Sequence, residues 1–268
     1  MSEERKRSED EAQETASAGL GFLEEWLRVQ EKKVGIHRAR ILTENDGTRS
    51  SAVSFLQKAL LHHYEDPKLT ADRLEFHGHK KCAELFREKL PEIPTLRSGE
   101  LGEVIATELA ERMLGFTVPI RRLRWKDGRN VPLRGDDLVA FIADANSPTR
   151  YLKGESKSYQ ELSSSVLEKA DEQLLADSGR PTRHSVMFVA DRLREKGDHE
   201  LAAMLETHLL DSFRGCDIEH LLFAMCGNSP DTMVSTHLSS RGEPLCHAVA
   251  LRVVDHQEFI ASVYEKRP

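Results

Sequence analysis

Several protein classes are excluded by what this chain lacks. None of its apolar runs is long enough to cross a bilayer, and the N-terminus has no apolar core of a signal peptide. No membrane partner is therefore expected, and the expected location is cytoplasmic. The four cysteines, Cys82, Cys216, Cys226 and Cys246, are scattered without paired spacing. That pattern reads as reduced thiols rather than a disulfide frame or a zinc site. There is no internal repeat, no Gly-rich phosphate loop, no Gly-x-Ser-x-Gly and no helicase motif, so a nucleotide-driven motor would have to sit on another chain. Nor is there an excess of positive charge: the net charge is −7, which argues against nonspecific coating of nucleic acid.

What is present is a soluble, rather polar composition, 39% hydrophobic and 31% charged, in 268 residues. That length suffices for one large domain, or for a domain with an accessory layer. Residues 1–18 are charged and small, without apolar periodicity, and read as a disordered tail. Helical spacing follows from Leu20 through Leu23, Trp26 and Val29, over Ala52–Tyr64, and over about 76–90 until Pro91 and Pro94. One strand is possible near Gly35–Leu42. Residues 19–95 are therefore expected to form a mostly helical N-terminal layer, and 96–268 a core with a C-terminal extension.

In that core the pattern predicts a helix from about Gly99 to Leu114, with Ser98 as N-cap and Gly115 as its stop. A three-strand meander is expected next, over Thr117–Trp125, Val131–Ala143 and Tyr151–Tyr159, with turns at Asp127-Gly128 and Asn146-Ser147-Pro148. Then come a helix over Gln160–Ala176, a buried strand over Ser185–Ala190, either a strand or a buried helical turn at Ile218–Cys226, a strand at Cys246–Val254, and a last helix from Asp255 through Tyr264. This is an α/β core with a mixed sheet.

Three pieces of it hold acids where apolar residues would be ordinary. In the helix SGELGEVIATELAERMLGF, Glu100, Glu108, Glu111 and Arg112 share one arc, whereas Glu103 falls on the opposite side with Ala106, Thr107, Ala110 and Leu114. An acid on a packing face needs a partner, a hydrogen bond or a metal; an acid early in a helix is also favoured by the helix dipole. In RGDDLVAFI, alternation places Asp137 with Val139 and Phe141, and Asp136 on the other side. In YLKGESKSY, Glu155 and Lys157 share a face with Lys153 and Tyr159. Taken alone, a Glu-x-Lys is most often a surface ion pair.

The order of these pieces, Gly99-Glu-Leu-Gly-Glu103, Gly135-Asp-Asp137 and Glu155-Ser-Lys157, resembles the PD-(D/E)XK nucleases, the superfamily of many restriction enzymes and Holliday-junction resolvases. The match covers about residues 97–190, with Asp136-Asp137 where that superfamily has proline-aspartate. The resemblance implies a restriction-endonuclease-like α/β core, a mixed central sheet flanked by helices, behind a helical N-terminal layer. It also implies metal-dependent hydrolysis of DNA phosphodiesters by Glu103, Asp137, Glu155 and Lys157. Mg²⁺ or Mn²⁺ would be held by Asp137, Glu155 and the Ser156 carbonyl. The helical layer, the RSGELGE entry, the YLKGESKSY strand and the length are more narrowly similar to the HamA family. Its members are nuclease-type subunits of the Hachiman anti-phage defence system, and their partner is the superfamily 2 helicase HamB. A catalytically silent nuclease-fold module that binds DNA or protein is the alternative.

One basic island stands out against the acidic background: Arg121, Arg122, Arg124, Lys126, Arg129 and Arg134, with Asp127 the single acid among them. It is either a solvated edge hairpin or a sequence-independent surface tracking DNA phosphates toward the metal. His77-Gly-His79 with Cys82 lacks a second pair at zinc spacing and reads as surface. His62-His63 reads as satisfying helix-terminal carbonyls.

Overall fold

The computed structural model describes residues 22–144 and 146–265. The tail expected over 1–18 and Leu20 lie outside the described residues. Six strands form one mixed sheet: β1 (Leu27–Val34), β2 (His37–Glu44), β3 (Leu138–Ile142), β4 (Arg150–Tyr159), β5 (Asp217–Cys226) and β6 (Cys246–Arg252), in the order β1-β2-β6-β5-β4-β3. The neighbours from β2 through β4 run parallel, and the two outer pairs, β1-β2 and β3-β4, are antiparallel. Central parallel strands covered on both faces need continuous apolar runs rather than alternation. LLFAMC in β5 and CHAVAL in β6 supply them.

Between the strands run α1 (Arg49–Tyr64), α2 (Pro67–Arg87), α3 (Pro94–Arg112), α4 (Ser164–Leu175), α5 (Arg183–Glu195), α6 (His199–Leu210), α7 (Asp231–Ser239) and α8 (His256–Glu265). One sheet face packs Leu138, Ala140, Leu152, Leu221 and Phe223 with Leu101, Val104, Ile105 and Leu109 of α3, and α1 and α8 extend the same core. Full burial of each such leucine contributes about 2 kcal/mol. The other face is covered by α4 and α7 over the sheet centre, and by α5 and α6 over Phe141 and Tyr151.

Several expectations are corrected. The N-terminal segment holds two strands, not one. Residues 22–26 are helical, but Leu27–Val34 is strand, paired through a two-residue turn in which Gly35 takes φ +60°. Because β2 pairs with β6, this hairpin belongs to the central sheet. Thr117–Trp125 is not a strand. Thr117 makes a single bridge to Phe141, Pro119 cannot continue a ladder, and Arg122–Trp125 is a 3₁₀ turn. The strand expected from Val131 starts only at Leu138, after Pro132 and a positive-φ Gly135. Ser185–Ala190 is helical: Thr182 caps α5 by accepting the Ser185 N–H, and Val186, Val189, Ala190 and Leu193 form its buried stripe. A six-residue window had shown only the apolar start of that stripe. Helices α6 and α7 were not anticipated. Among the described residues, no helix is long and apolar enough to cross a membrane.

Candidate functional site

The site forms where β4 outruns β3. Their ladder ends at the pair Leu138–Gly154, while β4 continues to Tyr159, so its edge is open beyond Gly154. Asp137 directly precedes Leu138 and therefore sits level with Glu155. Its Oδ2 accepts the Ser156 N–H at 2.9 Å. A strand residue sends its N–H and C=O to the same side, so the Ser156 carbonyl leaves at this open edge as well. Glu155 and Lys157, two apart, share a face, and Lys157 Nζ donates to Glu155 Oε1 at 2.5 Å. Their side chains are 11% and 24% exposed, respectively, so this is not a solvated surface pair.

Helix α3 closes on the same stretch from the opposite face. A Cβ on Gly102 would lie 2.6 Å from Ser156 Oγ, whereas one on Gly99 would meet open space. Of the two glycines in the motif, Gly102 is thus the one that permits close approach. Ser98 does not cap α3, which begins earlier with Pro94 in its first turn. Instead the Ser98 hydroxyl donates to Ser158 Oγ at 2.8 Å. Glu103, half-buried, lines a narrow cleft with Asp137, Arg121 and Arg122.

The other acids of α3, on the arc opposite Glu103, are held by partners of their own. Glu100 is buried against Lys126 and the Tyr64 hydroxyl, and Glu108 accepts from His63 at 3.0 Å and Arg112 at 2.7 Å. Because α1 and the 3₁₀ segment cover the side of α3 away from the sheet, the helix has no fully solvated face.

The electrostatics of the site are those of crowded acids. Burial, then the neighbouring Asp137 charge, pushes Glu155 up to about 7. Burial also raises Asp137, against the Ser156 N–H, Arg122 and Lys157, which favour its charged form. Glu103 lies well above the usual carboxylate range, through burial and then the Asp137 charge. For Lys157 burial alone would lower the pKa, but the hydrogen bond to Glu155 together with the Glu155 and Asp137 charges outweighs this and the group is raised. Among the described residues, no three His, Cys, Asp or Glu side chains already form a metal-binding group. The donors gathered at the edge are two carboxylates and a backbone carbonyl.

The basic island is engaged elsewhere. Arg121 pairs with Glu111, Arg124 with Asp66 at 2.9 Å and with the His62 carbonyl, and Lys126 with Glu100. Arg129 bonds the Arg87 and Leu90 carbonyls, and Arg122 the Arg134 and Asp136 carbonyls. These cations hold residues 121–136 in place, and residues 121–134 do not form the edge hairpin expected of them. Arg134 is exposed. Two roles escaped the motif reading: that of Arg122, whose charge acts on both Glu103 and Asp137, and that of Asp136, which is held by Thr182 and Lys153. A lone arginine in a basic run gives no sign of this. His77 and His79 lie on α2, which Gly78 kinks at φ +73°.

No curated protein matches the chain. One family model does, HamA, over residues 21–267, which takes in every strand of the sheet and every residue of the site. A match of that extent shows that the chain belongs to the HamA family and is a component of a Hachiman defence system.

Proposed function

We propose that this chain is a metal-dependent deoxyribonuclease, the effector of its defence complex, controlled by a superfamily 2 helicase partner. The observation that carries the reading is the meeting of Asp137, Glu155 and Lys157 at the open edge of β4, with Glu103 alongside. The donor set fits a hard cation such as Mg²⁺ or Mn²⁺, since Asp137, Glu155 and the Ser156 carbonyl offer only oxygen. When bound, such an ion polarises a phosphodiester and lowers the pKa of the attacking water.

The remaining work falls to the chain. The Ser156 N–H fixes the Asp137 carboxylate. Lys157, oriented by Glu155, offsets charge developing on phosphorus and aligns the water. Glu103 adds negative charge from the helix side. Hydrolysis on this reading proceeds by direct attack of water. Arg134, exposed three residues before Asp137, would meet the DNA backbone, and a net charge of −7 disfavours unguided encounter with a polyanion. The helicase would supply the missing affinity.

The test is incubation of supercoiled plasmid with purified protein, with and without its helicase, in Mg²⁺ or in EDTA. Nicking or degradation in Mg²⁺ is expected, abolished by EDTA and by Glu155→Gln. Intact plasmid under every condition, with helicase and ATP present, would favour the silent module.

A further inference from the structure

Two adjacent aspartates open β3 and do different things. Asp137 faces the site; Asp136 is 5% exposed and belongs to a buried network beneath it. Its Oδ2 accepts the Thr182 N–H at 2.7 Å and the Thr182 hydroxyl at 3.0 Å, and its own N–H donates to Ser185 Oγ at 2.8 Å. Its Oδ1 lies 3.7 Å from Nζ of Lys153, which is 1% exposed and also donates to the Ala176 carbonyl at 2.9 Å. Gly135, at φ +92°, lets the loop press on α5: a Cβ there would lie 2.5 Å from Ser185 Oγ. From the opposite side, Arg122 bonds the Arg134 and Asp136 carbonyls.

The geometry points to Asp136 and Lys153 as a pair of positioning residues that aim Asp137 at the Ser156 amide. Lys153 lies two residues before Glu155 on the same strand and face, so its bond to Asp136 ties the Asp137 loop to the strand carrying Glu155, Ser156 and Lys157. Thr182 and Ser185 fix the loop to α5, and Arg122 fixes its carbonyls. With residues 134–136 held at amide, carbonyl and side chain, Asp137 is left one direction, along the open edge. A buried ion pair is a poor means of adding stability, because desolvation offsets its attraction and an apolar pair of the same volume does as well. A directional constraint is what an apolar pair would not supply. The consequence for metal binding rests on the nuclease reading above; the aim of Asp137 does not.

The test uses the full chain with Asp136→Asn and Lys153→Met together, which removes both charges while keeping volume and an acceptor for Thr182. Amide exchange of Ser156, measured by NMR without metal, is expected to rise about tenfold as its hydrogen bond to Asp137 is lost, with β5 and β6 still protected. Mn²⁺ affinity by titration should fall about tenfold to a hundredfold. Unchanged Ser156 protection in the folded double variant overturns the proposal, whatever the metal does. If wild-type protein binds no Mn²⁺ but Ser156 exchange still depends on the pair, the positioning stands and the nuclease reading falls. Should the double variant not fold, Thr182→Val carries the test: it removes one donor to Asp136 and should raise Ser156 exchange by a smaller factor, no change counting against the pair.

Discussion

Asp137 accepts its 2.9 Å hydrogen bond from Ser156 at the one stretch of β4 that β3 leaves unpaired. A side chain thus replaces a strand there. In a completed ladder the Ser156 N–H and C=O would both be consumed by the neighbouring backbone. Here the amide goes to a carboxylate and the carbonyl shares its edge with Glu155 and Lys157. Ending β3 early is what makes the edge available for chemistry.

If that edge is the reaction centre, Asp137→Asn, Glu155→Gln and Lys157→Met should each lower plasmid cleavage by about a hundredfold or more. Thermal stability should hold or rise for the two carboxylate variants, since each relieves a crowded buried charge. Circular dichroism melts beside a nicking assay read both. A Glu155→Gln variant that cuts like wild type would remove the edge from the mechanism.

Gly102 supplies a steric prediction. The 2.6 Å separation from Ser156 Oγ is small enough that alanine requires the serine to rotate, and a branched residue requires α3 to retreat. Gly102→Val should therefore cost about 1–3 kcal/mol, as overpacking does, and should also reduce cleavage by shifting the Ser156 carbonyl. Gly99→Ala, facing open space, should be neutral or slightly stabilising in urea denaturation.

Part of this was legible in the sequence. β6 declares itself as a continuous apolar run, the similar run in β5 is equally compatible with a buried helical turn, and Glu155-x-Lys157 follows from alternation alone. The same argument puts Asp136 on the face opposite Asp137, but the positive-φ Gly135 breaks the alternation and Asp136 reaches Lys153 on the Glu155 face. What stayed hidden depends on partners far away in the chain. Glu100 and Glu108 look solvated until α1 and the 3₁₀ segment cover them. The arginines of 121–129 look like a DNA surface because their acceptors are Asp66, Glu111 and backbone carbonyls that no local pattern reveals. β1 looks helical because its few inward residues continue the spacing of the preceding turn.

The arginines give a separable pair of outcomes. Arg124 satisfies the His62 carbonyl at the end of α1 and Asp66 at the start of α2. Arg124→Gln should cost about 1–3 kcal/mol in urea denaturation by leaving these groups unpaired. Arg134, exposed at the loop, should behave oppositely. Arg134→Gln should leave stability unchanged while lowering the slope of log affinity for DNA against log salt by about one. A loss of stability in Arg134→Gln, or an unaltered salt slope, would take Arg134 out of the DNA path.

The buried contact between α1 and α3 sets a dependence on pH. His63 Nε2 lies 3.0 Å from Glu108 Oε1, and because a carboxylate only accepts, the neutral imidazole carries its proton on Nε2. Burial pushes His63 down to about 4, more than the hydrogen bond to Glu108 raises it. For Glu108 burial acts upward, but the bonds from His63 and Arg112 outweigh it and hold the group at about 2. As pH falls below about 6.5 the unfolded chain takes up a proton at position 63 and the folded one does not, so stability declines until about 4. Glu108 continues the decline in the same direction between about 4.5 and about 2. His63→Gln keeps a donor for Glu108 and removes the first of these steps. Between about pH 7 and about pH 5, wild type should therefore lose on the order of 2 kcal/mol more stability than the variant. Urea titrations at the two pH values measure the difference, and parallel losses would mean that His63 titrates in the folded protein as it does in water.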